Sequence, residues 1–146
     1  MKYLLVETEI EKFWIEIGID GYANRQIVID ELKKIHISCL EDCLAEGVID
    51  ENDLEGKTTW LTKKDFDSIW NLVISDYLLI WSQIKIRYPI GKHIKGICKY
   101  FYPQGAIIKG KDYIAVYKGK EKLQLNQYVQ LKVVRYDDVN MWLIVG

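Results

Sequence analysis

Proline, histidine and cysteine are scarce in this chain, and each scarcity excludes something. Only two prolines occur in 146 residues, with no serine-, proline- or glycine-rich tract, so a disordered linker or low-complexity tail is not expected. Two histidines, His36 and His93, offer no local catalytic triad. Three cysteines, Cys39, Cys43 and Cys98, are odd in number and lack a framework spacing, which argues for reduced thiols in a cytosol. Long apolar runs are missing too. The longest patch, Tyr77 to Trp81, is far short of the roughly 20 residues a bilayer-spanning helix needs, so no membrane association is expected. Met1 to Val6 runs directly into Glu7, Glu9 and Glu11, the wrong pattern for a secretory signal. A soluble protein of the bacterial cytoplasm is the expectation.

Nucleotide-loop and metal signatures fail in detail. Gly91-Lys92-His93 lacks the upstream glycine and the following Ser or Thr of a phosphate-binding loop. Asp50, Asn52 and Asp53 begin like a calcium loop, but Leu54, Glu55 and Leu61 occupy the positions that need a ligand, a glycine and a glutamate. His36, Cys39 and Cys43 would share one helical face, yet a zinc site takes four ligands and a fourth is not evident. Buried thiols and a satisfied histidine are the expected reading. No catalytic residue, metal or cofactor is expected, and the chain reads as a non-enzyme.

What is present is a strong division of charge. Residues 1–84 carry 8 Lys+Arg against 17 Asp+Glu, a net −9, whereas residues 85–146 carry 12 against 4, a net +8. Two units with different surfaces are implied: an acidic α+β domain over 1–87 and a basic domain over 88–146. Such a split fits a basic binding module with an acidic companion, and it fits equally two halves that neutralise each other.

In the acidic part, Lys2 to Glu9 is strand-like, and Phe13, Ile15, Ile17 and Ile19 alternate with Trp14, Glu16 and Gly18. Asp20-Gly21 supplies a turn and Arg25 to Asp30 the return strand, so an antiparallel hairpin or sheet is expected. Residues 31–47 fit a helix or a further strand, and 47–56 reads as an acidic loop. Thr62 with Asp65 resembles a capping box. It opens one long amphipathic helix whose stripe is Phe66, Ile69, Trp70, Val73, Tyr77, Ile80, Trp81 and Ile84, ending before Pro89. The stripe reads as core.

Five short strand candidates follow within about sixty residues: Ile94 to Tyr102, Gly105 to Lys109, Tyr113 to Tyr117, Tyr128 to Tyr136 and Met141 to Val145. That density suggests a small closed barrel. Ile94-Lys95-Gly96-Ile97-Cys98, then Gly105-Ala106-Ile107-Ile108, then Val129 to Asp137, resemble the S-one-type RNA-binding repeat, an OB fold first known from a large ribosomal protein. The resemblance covers roughly 88–146. It implies a five-stranded OB-like barrel that binds RNA or single-stranded nucleic acid without sequence preference. The family's two stacking phenylalanines fall here on Gln104 and Ile107, and its third-strand histidine has no counterpart. Tyr100, Phe101, Tyr102 and Tyr117 are the rings available instead.

With Ile94, Gly96 and Cys98 directed inward, Lys95, Ile97 and Lys99 face out, and on the next strand Ile107 and Lys109 do so. The expected contact residues are therefore Lys95, Lys99, Tyr102, Gln104, Ile107, Lys109 and Tyr117. Their lysines suit phosphates, an acidic protein surface including the chain's own first half, or plain solvation. The expected partner is accordingly RNA or single-stranded nucleic acid; the alternative is a protein partner, in an immunity or regulatory role with no nucleic acid.

Overall fold

The computed structural model describes residues 1–38, 44, 45 and 47–146. It is mostly β, with two sheets and a helical segment, in the order β1 (Lys2–Glu7), β2 (Lys12–Ile17), β3 (Ala23–Ile29), β4 (Ile35–Ile37), β5 (Lys57–Leu61), α1 (Lys63–Ile74), α2 (Leu78–Arg87), β6 (His93–Tyr102), β7 (Gly105–Lys109), β8 (Ile114–Tyr117), β9 (Tyr128–Asp137) and β10 (Trp142–Val145). Two compact units divide the chain at Asp76/Tyr77, inside the 3-10 turn Ser75–Tyr77 that joins α1 to α2. Among the described residues, no helix is long and apolar enough to cross a membrane.

The first unit is a five-stranded antiparallel sheet, β4-β3-β2-β1-β5, with α1 against it. Thr62 caps α1 as its spacing implies: its hydroxyl accepts from Asp65 N at 3.1 Å, and the Asp65 carboxylate accepts from Thr62 N at 3.4 Å. Cross-strand pairing lines up Tyr3, Glu16 and Arg25 on the face that meets this helix. Arg25 donates two bonds to Glu16, at 2.9 and 2.6 Å, and a third to Asp67 of α1 at 3.0 Å. The guanidinium also lies 4.9 and 5.0 Å from the ring centres of Phe66 and Trp70, both buried. A cation so well bonded and stacked is satisfied by the fold, and its desolvation is offset by a bidentate partner. The residues 31–47, open between helix and strand on sequence, include the short strand β4. Cys39 and Cys43, and hence the suggested face with His36, lie outside the described residues. His36 Nε2 sits 2.8 Å from Asp30 Oδ2.

In the second unit, β6 to β10 close into a ring in the order β10-β8-β7-β6-β9, with β9 returning to β10. Every neighbouring pair is antiparallel except β8 and β10, which run parallel over Ala115–Leu143, Val116–Ile144 and Tyr117–Val145. Ile94, Cys98, Ile108 and Val133 fill the interior, the last three fully buried. Burial raises the Cys98 thiol pKa, leaving it a core group. Gly96 lets β6 lie close against β7: a Cβ there would lie 2.7 Å from Ile108 Cγ2 and 2.9 Å from the Lys109 carbonyl oxygen.

α2 belongs to this unit and is fastened at one end of the ring. Trp81 Nε1 and Lys85 Nζ both donate to Asp138 Oδ1 at 2.9 Å, just after β9. Trp81 stands edge-on to Tyr136, whose hydroxyl proton is shared between the carbonyls of Lys85 and Tyr88. Arg87 and Tyr88 reach Asp112 in the turn between β7 and β8, and the Tyr88 ring meets Tyr113 at 4.7 Å. The helical stripe thus supplies core through Trp81 and Ile84, while Ile80 is exposed. Because strands alternate in direction, the β6–β7 hairpin tip and the 118–127 loop occupy the opposite end.

Gly96→Ala is expected to destabilise the second unit by about 1–3 kcal/mol, the range for forced overpacking. Urea unfolding followed by tryptophan fluorescence checks this, and an unchanged midpoint would contradict the packing described.

Candidate nucleic-acid interface

Alternation along β6 places His93, Lys95 and Ile97 on the outer surface of the ring. The neighbours on that surface follow from register. Ile97 pairs with Lys109 of β7 and with Tyr128 of β9, Lys95 pairs with Gln130, and His93 with Lys132. His93, Lys95, Lys109, Gln130 and Lys132 are exposed, and Tyr128 is 66% exposed. Residues 93–109 and 128–136 contain no Asp or Glu. Among the described residues Lys95, Lys109 and Lys132 make no ion pair. The result is a basic surface across β9-β6-β7 with one aromatic ring standing out of it.

Two of the seven residues expected from sequence, Lys95 and Lys109, lie on this surface. Lys99 sits at its upper margin, in a bulge between Cys98 and Tyr100, with Nζ 3.5 Å from Asn126 Oδ1. Tyr102, Gln104 and Tyr117 instead line a groove of about 840 Å³ between the hairpin tip and the 118–125 segment. Tyr117 is buried there, and its hydroxyl accepts from Glu121 N at 3.1 Å.

The expectation of an exposed Ile107 is corrected: it is 1% exposed. The bulge at Lys99 shifts the parity of β6, so Tyr100 rather than Lys99 pairs with Ile107, and Val116 of β8 pairs with it on the other side. Val116 and Ile144, paired in turn across β8 and β10, are buried as well. The outward side of β7-β8-β10 is therefore an apolar, covered face, and alternation alone cannot distinguish an outward residue from an exposed one. Tyr128, Gln130 and Lys132 were missed by the sequence reading, although their alternation with Val129, Leu131 and Val133 carries the signal.

Beneath the basic surface Tyr113 anchors β6. Its hydroxyl donates to the Lys95 carbonyl at 2.6 Å, and its ring lies directly over Gly110. Burial, reinforced by Tyr88 and Asp112, pushes its pKa up to about 12.

Comparison with known proteins finds no matching family model, no similar curated protein and no similar solved structure. Lysines carried on rigid strands bind phosphates as point charges. An exposed tyrosine at one corner of the patch, level with Ile97 and Lys109, presents a ring of the kind on which bases stack.

A raised tyrosine pKa has a defined effect on stability. The contribution of Tyr113 is fully present below the unfolded value of about 10 and is lost as pH rises towards about 12. In a spectrophotometric titration, where burial also raises Tyr3 and Tyr88, the amplitude near 12 is expected to fall by one phenolate in Tyr113→Phe; an unchanged amplitude there would contradict the assignment.

Proposed function

We propose that the second unit is an OB-type module, similar to the S-one-type repeat, and that the chain is a non-catalytic protein holding RNA or other single-stranded nucleic acid weakly and without regard to sequence. Numbering its five strands in order, the ring runs first, second, third, fifth, fourth, with the third and fifth parallel; this supports the OB reading. OB modules commonly receive oligonucleotides on strands two and three. Here Ile107 and Val116 on those strands are buried, so the binding surface moves to strands four, one and two. The observation that carries the proposal is the β9-β6-β7 surface, free of carboxylates over 93–109 and 128–136, on which Lys95, Lys109 and Lys132 stand with the exposed ring of Tyr128.

Three phosphate contacts on a single strand imply a slope of about −2 in log affinity against log salt. Fluorescence anisotropy with a labelled mixed-sequence RNA is expected to show binding at low salt with that slope. The variant combining Lys95→Glu, Lys109→Glu and Lys132→Glu is expected to lose binding at every salt concentration. No binding by the wild-type chain at low salt would overturn the proposal.

A second reading has one observation in its favour. Leu79 and Ile86 on α2 are 69% and 79% exposed, an apolar side that suits a protein partner in a regulatory or immunity role. Under this reading a stoichiometric partner co-purifies from cells with the wild-type chain and is lost with Leu79→Glu plus Ile86→Glu. Retention of the same partner by that variant would remove the reason for this reading.

A further inference from the structure

The groove at the end of the ring away from α2 is distinct from the basic surface, and its lining has a chemistry of its own. Phe101, Tyr102 and Gln104 come from the β6–β7 hairpin, and Lys118, Lys122 and Gln124 from the loop leading to β9. Phe101 reaches the groove because of the bulge at Lys99. After it, Phe101 pairs with Ala106, and the ring ends at the mouth 54% exposed. The loop carries Lys118, Lys120 and Lys122 against the single carboxylate of Glu121.

Both walls are fixed before anything binds. The loop is tied to β6 by Cys98 N to Gln127 O at 2.9 Å and Asn126 N to Cys98 O at 2.7 Å, with Asn126 at φ 65°. Gln127 closes the loop on itself, accepting from Gln124 N at 2.8 Å. On the other wall Gly105 has φ 137°, and a Cβ there would lie 2.6 Å from the Tyr117 carbonyl oxygen, so hairpin and floor meet closely. A preformed groove avoids the ordering cost of binding.

We infer that this groove receives one unpaired nucleotide of the single strand that lies along β6. The inference rests on the proposed nucleic-acid reading and extends it to a second contact. An exposed phenyl ring gives a base a stacking face, and the Gln104 and Gln124 amides combine donors and acceptors, as base edges require. Lys118 and Lys122 stand where the attached phosphate would pass. The volume, about 840 Å³, exceeds the need of a base alone and admits a ribose and phosphate with it. An extended acidic peptide is a poorer fit. Ring closure leaves no free strand edge to pair with its backbone, and the groove is bounded by one hairpin tip and one loop. Lys99, between the basic surface and the groove, continues the run of positive charge from one to the other.

The full chain, isotope-labelled for NMR, is titrated with a mixed-sequence RNA of about twelve nucleotides, with the same strand paired to its complement, and with adenosine monophosphate. The single strand is expected to shift amides on the basic surface (Ile97, Gln130) and in the groove (Gly105, Gly119, Leu125). The duplex is expected to leave the groove amides in place. Phe101→Ala should weaken single-strand binding at least about fivefold and abolish the groove shifts alone, whereas Phe101→Trp should retain both. Unfolding of the exposed Phe101→Ala variant, checked by its spectrum, would transfer the affinity comparison to Lys118→Glu plus Lys122→Glu. Shifts confined to the basic surface, or wild-type affinity in the Phe101→Ala variant, overturn the groove while leaving the surface reading intact. Shifts confined to the groove keep the groove and overturn the surface reading. Adenosine monophosphate binding as tightly as the strand would make a free nucleotide the occupant and overturn the inference.

Discussion

Three parallel residue pairs between β8 and β10 close the ring, and everything proposed for the second unit depends on that closure. An open sheet of the same strands would leave two edges unpaired and would not fix which way Lys95 or Ile107 points. Closure requires tight curvature, which the second unit obtains at Gly96, where no side chain separates β6 from Ile108, and at the bulge beside Lys99. Inside, Ile94, Cys98, Ile108 and Val133 are buried together.

The ends and faces of the ring are not equivalent. α2 holds one end through Trp81, Lys85, Arg87 and Tyr88, and the aspartates it engages, Asp112 and Asp138, are two of only four carboxylates in residues 85–146. With those acids committed to α2, the β9-β6-β7 face keeps its lysines unopposed. Asp138 is held below its usual range by the Lys85 bond and then the Trp81 bond, so it remains ionised wherever this network is intact. Local ion pairing at one end thus sharpens the positive character of the face.

Much of this was legible in the residues, for identifiable physical reasons. The capping box at Thr62 and Asp65 and the in–out pattern Ile94, Gly96, Cys98 depend on local spacing, and both stand in the structure. The break between α1 and α2 was not legible, because Val73, Tyr77 and Ile80 keep a helical spacing straight through the 3-10 turn. β5 was missed because Lys57-Thr58-Thr59-Trp60-Leu61 follows an acidic loop and shows no clean alternation; its place comes from pairing with β1. Ile107 shows the general limit. A bulge changes parity, and an outward side chain can still be covered; neither is a property of the strand alone. The groove combines two loops distant in sequence, so its shape has no local signature, although Tyr102, Gln104 and Tyr117 were each picked out singly.

Native-state hydrogen exchange followed by NMR tests closure most directly. Amides of Ala115 to Tyr117 and of Leu143 to Val145 that lie in the ladder should exchange only through global unfolding of the second unit, with the same free energy as ladder amides of β6 and β9. Rapid exchange in β10 while β6 and β9 stay protected would show an open sheet and would contradict the account.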